Sequence, residues 1–176
     1  MTAPLFGVVG WKNSGKTTLM VSLIASFTAR GMTVSAIKHA HHGFDVDHEG
    51  RDSFRFRAAG AHTVAISSRV RFAIMTELRE QPEPPLEELA AAIKGADLIL
   101  VEGFKSEKHP KLEVRRFDTL NQTPLASGDP SIVAIASDFD LGHSGLPVFG
   151  LNDVEAIADF ILDYHQMRPT NRSRWT

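Results

Sequence analysis

The octapeptide Gly10-Trp11-Lys12-Asn13-Ser14-Gly15-Lys16-Thr17 constrains this chain more than any other stretch. It fits the spacing G-x-x-x-x-G-K-[S/T] at every fixed position, a pattern that needs a strand leading in and a helix leading out. The sequence supplies both. Leu5–Val9 is a short apolar run that reads as a buried strand. Lys16–Arg30 then places Leu19, Leu23, Ile24 and Phe27 on one helical face, and Gly31 closes it. Glycines at the two fixed positions let the backbone wrap closely, so that successive N–H groups face phosphate oxygens. The helix adds the positive end of its dipole. Gly10, Asn13, Ser14, Gly15, Lys16, Thr17 and Thr18 are therefore the expected phosphate-binding residues. Lys16 is expected to reach the β- and γ-phosphates, and the Thr17 hydroxyl to ligate Mg²⁺.

The rest of the chain alternates strands and helices. Thr33–Lys38 reads as a second strand, so the first three elements form a right-handed parallel crossover. His39–Gly50 reads as a polar loop, and Arg51–Ala59 as a short helix with Asp52 as a possible cap. Thr63–Ser67 and Arg71–Glu77 are rich in β-formers and suggest a hairpin. Helical spacing follows in Leu86, Leu89, Ala90 and Ile93. Leu98–Val101 and Ile132–Ala136 are dense apolar strands, whereas Lys111–Phe117 alternates like a half-exposed one. Asn121–Pro130 reads as a loop. A last helix is expected from Asn152, with Glu155 completing a capping box. This order predicts a three-layer α/β fold of the P-loop NTPase type, mainly parallel, with an extra β-hairpin or antiparallel strands. One domain is expected over residues 1–167, followed by a loose Arg-containing tail at 168–176.

A phosphate loop needs an acid beside its magnesium. Glu102-Gly103 ends the Leu98–Val101 strand, where such folds place one. Glu102 is expected to act on the metal and in catalysis through a bound water, unless it is a solvated strand-end carboxylate. Gly103 is expected to bring its N–H towards the γ-phosphate. Asp45, Asp47 and Asp52 lie in the loop that usually faces this region; Asp47 is the preferred metal ligand among them, and a solvated acidic loop is the alternative. His39, His41, His42, His48 and His62 admit a transition-metal site or simple hydrogen bonding. Arg55 and Arg57 do not share a helical face, so one is expected to reach an anion and the other to be solvated. Lys105, Lys108 and Lys111 read as a solvated basic loop or as an anion-attracting patch. No Asn-Lys-x-Asp is present; Asp138, after the last core strand, can read guanine N1–H and N2–H₂ or cap an Asx turn.

Composition sets outer limits. The 176 residues carry a net charge of −2, with no global basic excess to favour nucleic acid. Cysteine is absent, which excludes disulfides, thiolate zinc sites and thiol catalysis. No apolar run approaches a membrane span, and the Met-Thr-Ala-Pro start lacks a signal-peptide pattern, so a cytoplasmic location without membrane contact is expected.

Taken together, the segments resemble the family of molybdopterin-guanine dinucleotide biosynthesis protein B, MobB. The matching stretches are Gly10–Leu19, Ile37-Lys38-His39-Ala40-His41-His42, Asp45-Val46-Asp47, Gly50-Arg51-Asp52-Ser53 and Arg57–Ala61. Met75-Thr76-Glu77, Asp97–Lys105, Ile135–Asp138 and Asn152–Glu155 also match, and the resemblance spans about residues 5–165. It implies a GTP- and Mg²⁺-dependent homodimer with weak GTPase activity. Such a protein acts as an adapter for MobA, the guanylyltransferase that joins GMP to molybdopterin. The residues alone also admit a P-loop small-molecule kinase, an ATP-dependent ligase or a nickel-handling GTPase.

Overall fold

The computed structural model describes residues 2–40 and 43–168. His41 and His42 of the histidine run, and all of the expected tail beyond Arg168, lie outside the described residues. The chain forms two compact units, one built from residues up to His39 and from Leu86 onward, the other from Ala40–Pro85.

The larger unit is a parallel sheet ordered β2-β5-β1-β6-β7-β8. Its strands are β1 (Leu5–Gly10), β2 (Val34–Lys38), β5 (Leu98–Glu102), β6 (Lys111–Arg115), β7 (Ile132–Ser137) and β8 (Val148–Gly150). Its helices are α1 (Lys16–Ala29), α3 (Leu86–Ala92) and α4 (Val154–Tyr164). One face of the sheet sends Phe6, Val8, Leu112, Val114, Ala134 and Ala136 into a core with Leu23 and Phe27 of α1 and Ile157 and Ile161 of α4. Each Val, Leu, Ile or Phe among them contributes about 1.5–3 kcal/mol when fully buried. The opposite face packs Ile37, Ile99 and Val101 against Leu86 and Ala90 of α3. Layers on both faces of a parallel sheet are the expected architecture.

The smaller unit holds α2 (Asp52–Ala58) and an antiparallel hairpin of β3 (Thr63–Ser67) and β4 (Phe72–Thr76). The hairpin is as the β-former pattern predicts.

Three expectations need correction. Lys111–Phe117 is not a half-exposed strand: β6 pairs on both sides, with β1 and β7, and Lys111 through Val114 are buried. Its alternation has another cause. Leu112 and Val114 face the helical core, while Lys111 and Glu113 lie on the other side beneath the chain that follows β6. Lys111 Nζ donates to the carbonyls of Lys105 (2.8 Å) and Glu107 (2.6 Å) and pairs with Asp129 at 2.6 Å. The Glu113 carboxylate accepts the N–H groups of Leu125 (3.0 Å) and Ala126 (2.9 Å). Lys111 is thus a fully buried structural cation and not part of a solvated basic loop. Helix α4 begins at Val154 with Asp153 as its cap position and no side-chain capping bond; Asp153 Oδ2 instead accepts Gly150 N–H at 3.0 Å. Finally, β8 extends the sheet beyond β7, an element too short to leave a periodic signal.

Candidate phosphate-binding site

The loop between β1 and α1 is shaped by steric limits at its first residue. A Cβ on Gly10 would lie 2.5 Å from the Val114 carbonyl oxygen and 2.6 Å from Ser14 Oγ, so only glycine lets the loop close against β6. Asn13 and Gly15 take positive φ values of 64° and 95°, turning the backbone alternately as an anion-binding concavity requires. Helix α1 starts at Lys16, so its first-turn N–H groups open onto this concavity.

Lys16 Nζ runs back along the loop and donates to the Trp11 carbonyl at 2.6 Å. Burial holds its pKa below the ordinary lysine value, partly offset by attraction to Glu102 and reinforced by repulsion from Lys105 and Lys38. Lys105 and Lys38 thus both repel the Lys16 ammonium, which Glu102 attracts, an electrostatic setting that a polyphosphate relieves.

The structure brings Thr17 and Glu102 together. Thr17 Oγ1 is 3.0 and 3.1 Å from the two Glu102 oxygens, to which its proton is donated. A hydroxyl and a carboxylate converging at the end of a phosphate cradle are hard oxygen donors of the kind Mg²⁺ takes, so the residues fit that ion. Lys38, at the end of the neighbouring β2, adds an ion pair to Glu102 Oε1 at 3.3 Å. The parallel β2–β5 register places Lys38 opposite Glu102. That pairing was invisible to a reading of Lys38 as a strand terminus.

Gly103 plays a different part from the one expected. Its N–H donates to the Val8 carbonyl at 3.2 Å and extends the β1–β5 ladder instead of facing the γ-phosphate. Its φ is +92°, and a Cβ there would stand 2.9 Å from His39 Cβ. Glycine thus admits His39, whose ring lies 4.6 Å from that of Phe104. The carboxylate of Asp138 accepts Phe117 N–H at 2.8 Å and pairs with Arg116 at 3.3 Å.

Asp47 belongs to the smaller unit. It is buried there, and its Oδ1 accepts His48 N–H (3.0 Å) and Ser53 Oγ–H (2.9 Å). Arg57 is the hub of this unit: it pairs with Asp45 (3.0 Å), Glu77 (2.8 Å) and, at 3.7 Å, with Asp47. The Asp45 carboxyl is held below its usual range by the Asp47 N–H and then by Arg57. Arg57 is therefore occupied by acids, while exposed Arg55 pairs with Asp52 at 3.6 Å. Among the described residues, no three His, Asp or Glu side chains converge as a metal site.

Trp11 stands at a formally variable place in the motif, so the sequence carries no signal of its contacts. Its ring carries the Lys105 ammonium at 4.3 Å, and its Nε1–H donates to the Thr123 carbonyl at 2.8 Å. Beside it, a cavity of about 410 Å³ is lined by Val9, Lys105, Leu125 and Ile132, among others.

Residues 5–138 match the family model described as molybdopterin guanine dinucleotide synthesis protein B. The chain is 39% identical over 165 residues to the molybdopterin-guanine dinucleotide biosynthesis adapter protein of Escherichia coli, covering 93% of this chain and 94% of that one. It is 41% identical over 161 residues to the adapter protein of the same description from Haemophilus influenzae, covering 90% and 87%. The crystal structure of Bacillus subtilis MobB superposes with a TM-score of 0.72 at 26% identity, covering 94% of this chain and 98% of that one.

Proposed function

Because the chain belongs to the molybdopterin guanine dinucleotide synthesis protein B family, we propose that it is a GTP-binding adapter for the enzyme that joins GMP to molybdopterin. The observation that carries this reading is one geometry. The Gly10–Thr17 cradle holds Lys16 at its centre and ends in a Thr17–Glu102 oxygen pair 3.0 Å apart. Backbone N–H groups and Lys16 would bind the phosphates. Thr17 and Glu102 would hold Mg²⁺, which when bound supplies positive charge between the outer phosphates. Lys38 keeps the Glu102 carboxylate oriented towards Thr17.

The guanine reader in this proposal is Asp138. Its bonds to Phe117 N–H and Arg116 leave acceptor capacity, because a carboxylate offers about four lone-pair sites. Phosphate contacts alone do not orient an attacking water, so hydrolysis by the isolated protein is expected at roughly 10⁻⁴–10⁻² s⁻¹, the scale of unassisted GTPases. A binding protein with slow turnover suits an adapter better than a kinase.

The hairpin supports self-association. Ile66, Phe72 and Ile74 are exposed on a two-stranded sheet whose outer edges have no strand partner among the described residues. Such edges seek a second copy. Strand β6 is not available for this, because β1 and β7 already occupy both of its edges.

Titration calorimetry with GTP, ATP and Mg²⁺ tests the core of the proposal. Lys16→Ala should weaken GTP binding at least about tenfold, as expected for loss of charge-assisted bonds, while the fold survives. Unchanged GTP affinity in a folded Lys16→Ala protein overturns the phosphate-site assignment. Phosphorylation of a small acceptor at tens of turnovers per second would replace the adapter by a kinase.

A further inference from the structure

The chain beyond β5 turns sharply at Gly103 and Phe104, with φ of 92° and 50°, and this turn returns Lys105 to the phosphate loop. There Trp11 holds two ammonium groups at once. Its carbonyl takes Lys16 Nζ at 2.6 Å, and its ring face takes Lys105 Nζ at 4.3 Å. The ring itself is fixed from the far side by its Nε1–H bond to Thr123. Neither lysine has a carboxylate within ion-pair distance among the described residues; the nearby acid, Glu102, is engaged by Thr17 and Lys38.

Lys16 is the residue whose ammonium meets the outer phosphates in this loop type. Its ammonium ends at the Trp11 carbonyl, so Trp11 marks the outer-phosphate end of the cradle. Resting on the nucleotide-binding reading above, we propose that Lys105 is a second phosphate-contacting residue, which reaches the terminal phosphate of a bound nucleoside triphosphate from its place on the Trp11 ring. A charge-assisted bond to a phosphate oxygen is stronger than a cation–π contact. An anion between the two lysines also removes their mutual repulsion. Burial already disfavours the charged form of Lys105, so a compensating anion is favoured there. The adjoining cavity gives its side chain room to change rotamer.

The test is calorimetry on the full chain with Mg²⁺ and either GTP or GDP, using wild type, Lys105→Met, Lys105→Arg and Lys16→Ala. Circular dichroism melts establish that each variant is folded. Lys105→Met should lose about tenfold or more in GTP affinity and leave GDP affinity within about twofold. Lys105→Arg should recover most of the loss, and Lys16→Ala should weaken both nucleotides. In a Trp175→Phe background, GTP should change Trp11 emission more than GDP does, and Lys105→Met should abolish that difference. If wild type binds neither nucleotide, the nucleotide-binding reading falls and this inference with it. If wild type binds both and Lys105→Met affects neither, or weakens the two equally, the Lys105 inference alone is overturned.

Discussion

Glu102 shows how few atoms separate a structural acid from a working one. It is buried at the end of β5, accepts the Thr17 hydroxyl and pairs with Lys38. Glu102→Gln keeps the shape and a carbonyl acceptor for Thr17, and removes the charge. Mg²⁺-dependent GTP hydrolysis should therefore fall more than GTP affinity does, as measured by phosphate release and calorimetry on the same preparation. Wild-type hydrolysis in this variant would leave Glu102 without a metal role. Gly103 makes a separate demand. Alanine there meets both the positive φ and His39 Cβ, so Gly103→Ala should cost roughly 1–3 kcal/mol, read as a lower denaturant midpoint. The acid at the strand end was legible in the sequence, because strand ends in this fold type face the phosphates. The use of Gly103 was not legible, since His39 reaches it only through the pairing of β2 with β5.

At the scale of elements, β6 is the instructive case. Alternating charged and apolar residues ordinarily mean one wet face. Here the charged face is covered by the loop that Glu113 pins through Leu125 and Ala126 and that Lys111 pins through Asp129. Hydropathy cannot distinguish solvent from a buried set of matched partners. Glu113→Ala leaves two partly buried N–H groups unsatisfied and should destabilise the protein by about 1–3 kcal/mol. Glu113→Gln retains one acceptor oxygen and should cost less. Urea denaturation ranks the two variants, and limited proteolysis between residues 120 and 130 should cut Glu113→Ala fastest. Equal stability of wild type and Glu113→Ala would show that the loop is held elsewhere.

For the whole molecule, acid sensitivity has an identifiable source. His109 is buried, neither ring nitrogen has a hydrogen-bond partner, and a Cβ on Gly7 would lie 2.4 Å from its Nε2. Burial, followed by the charge of Lys111, lowers its pKa from 6.5 to about 4, against the opposing pull of Asp129 and Glu87. The folded protein thus keeps His109 neutral while the unfolded chain takes up a proton below about pH 6.5. This contribution to stability is fully present above that pH and is lost as pH falls towards 4. Between pH 7 and pH 5 the loss is about 2 kcal/mol. Urea midpoints at those two pH values should show a smaller difference for His109→Gln than for wild type; equal differences would refute the assignment. The proposed self-association is also tested at this scale. Ile74→Lys puts charge on the exposed hairpin face and should reduce a dimeric mass to a monomeric one in light scattering, with the fold retained.

Local sequence signals were enough for the glycine-rich loop between β1 and α1, for every described strand and helix but β8, and for the β3–β4 hairpin. These depend on neighbours a few residues apart: glycine at fixed spacing, apolar periodicity and turn chemistry are local. Tertiary structure alone decided what occupies each charge. Lys38 reaches Glu102 through strand register, Lys105 reaches Trp11 through a turn of two positive-φ residues, and Lys111 finds Asp129 across a loop. Arg57 likewise gathers Asp45 and Asp47 from one stretch and Glu77 from another. A long charged side chain can adopt many rotamers, and no local signal selects its partner. Only the packed backbone brings one carboxylate, ring or carbonyl within reach and excludes the rest, together with the water that would otherwise serve all of them equally.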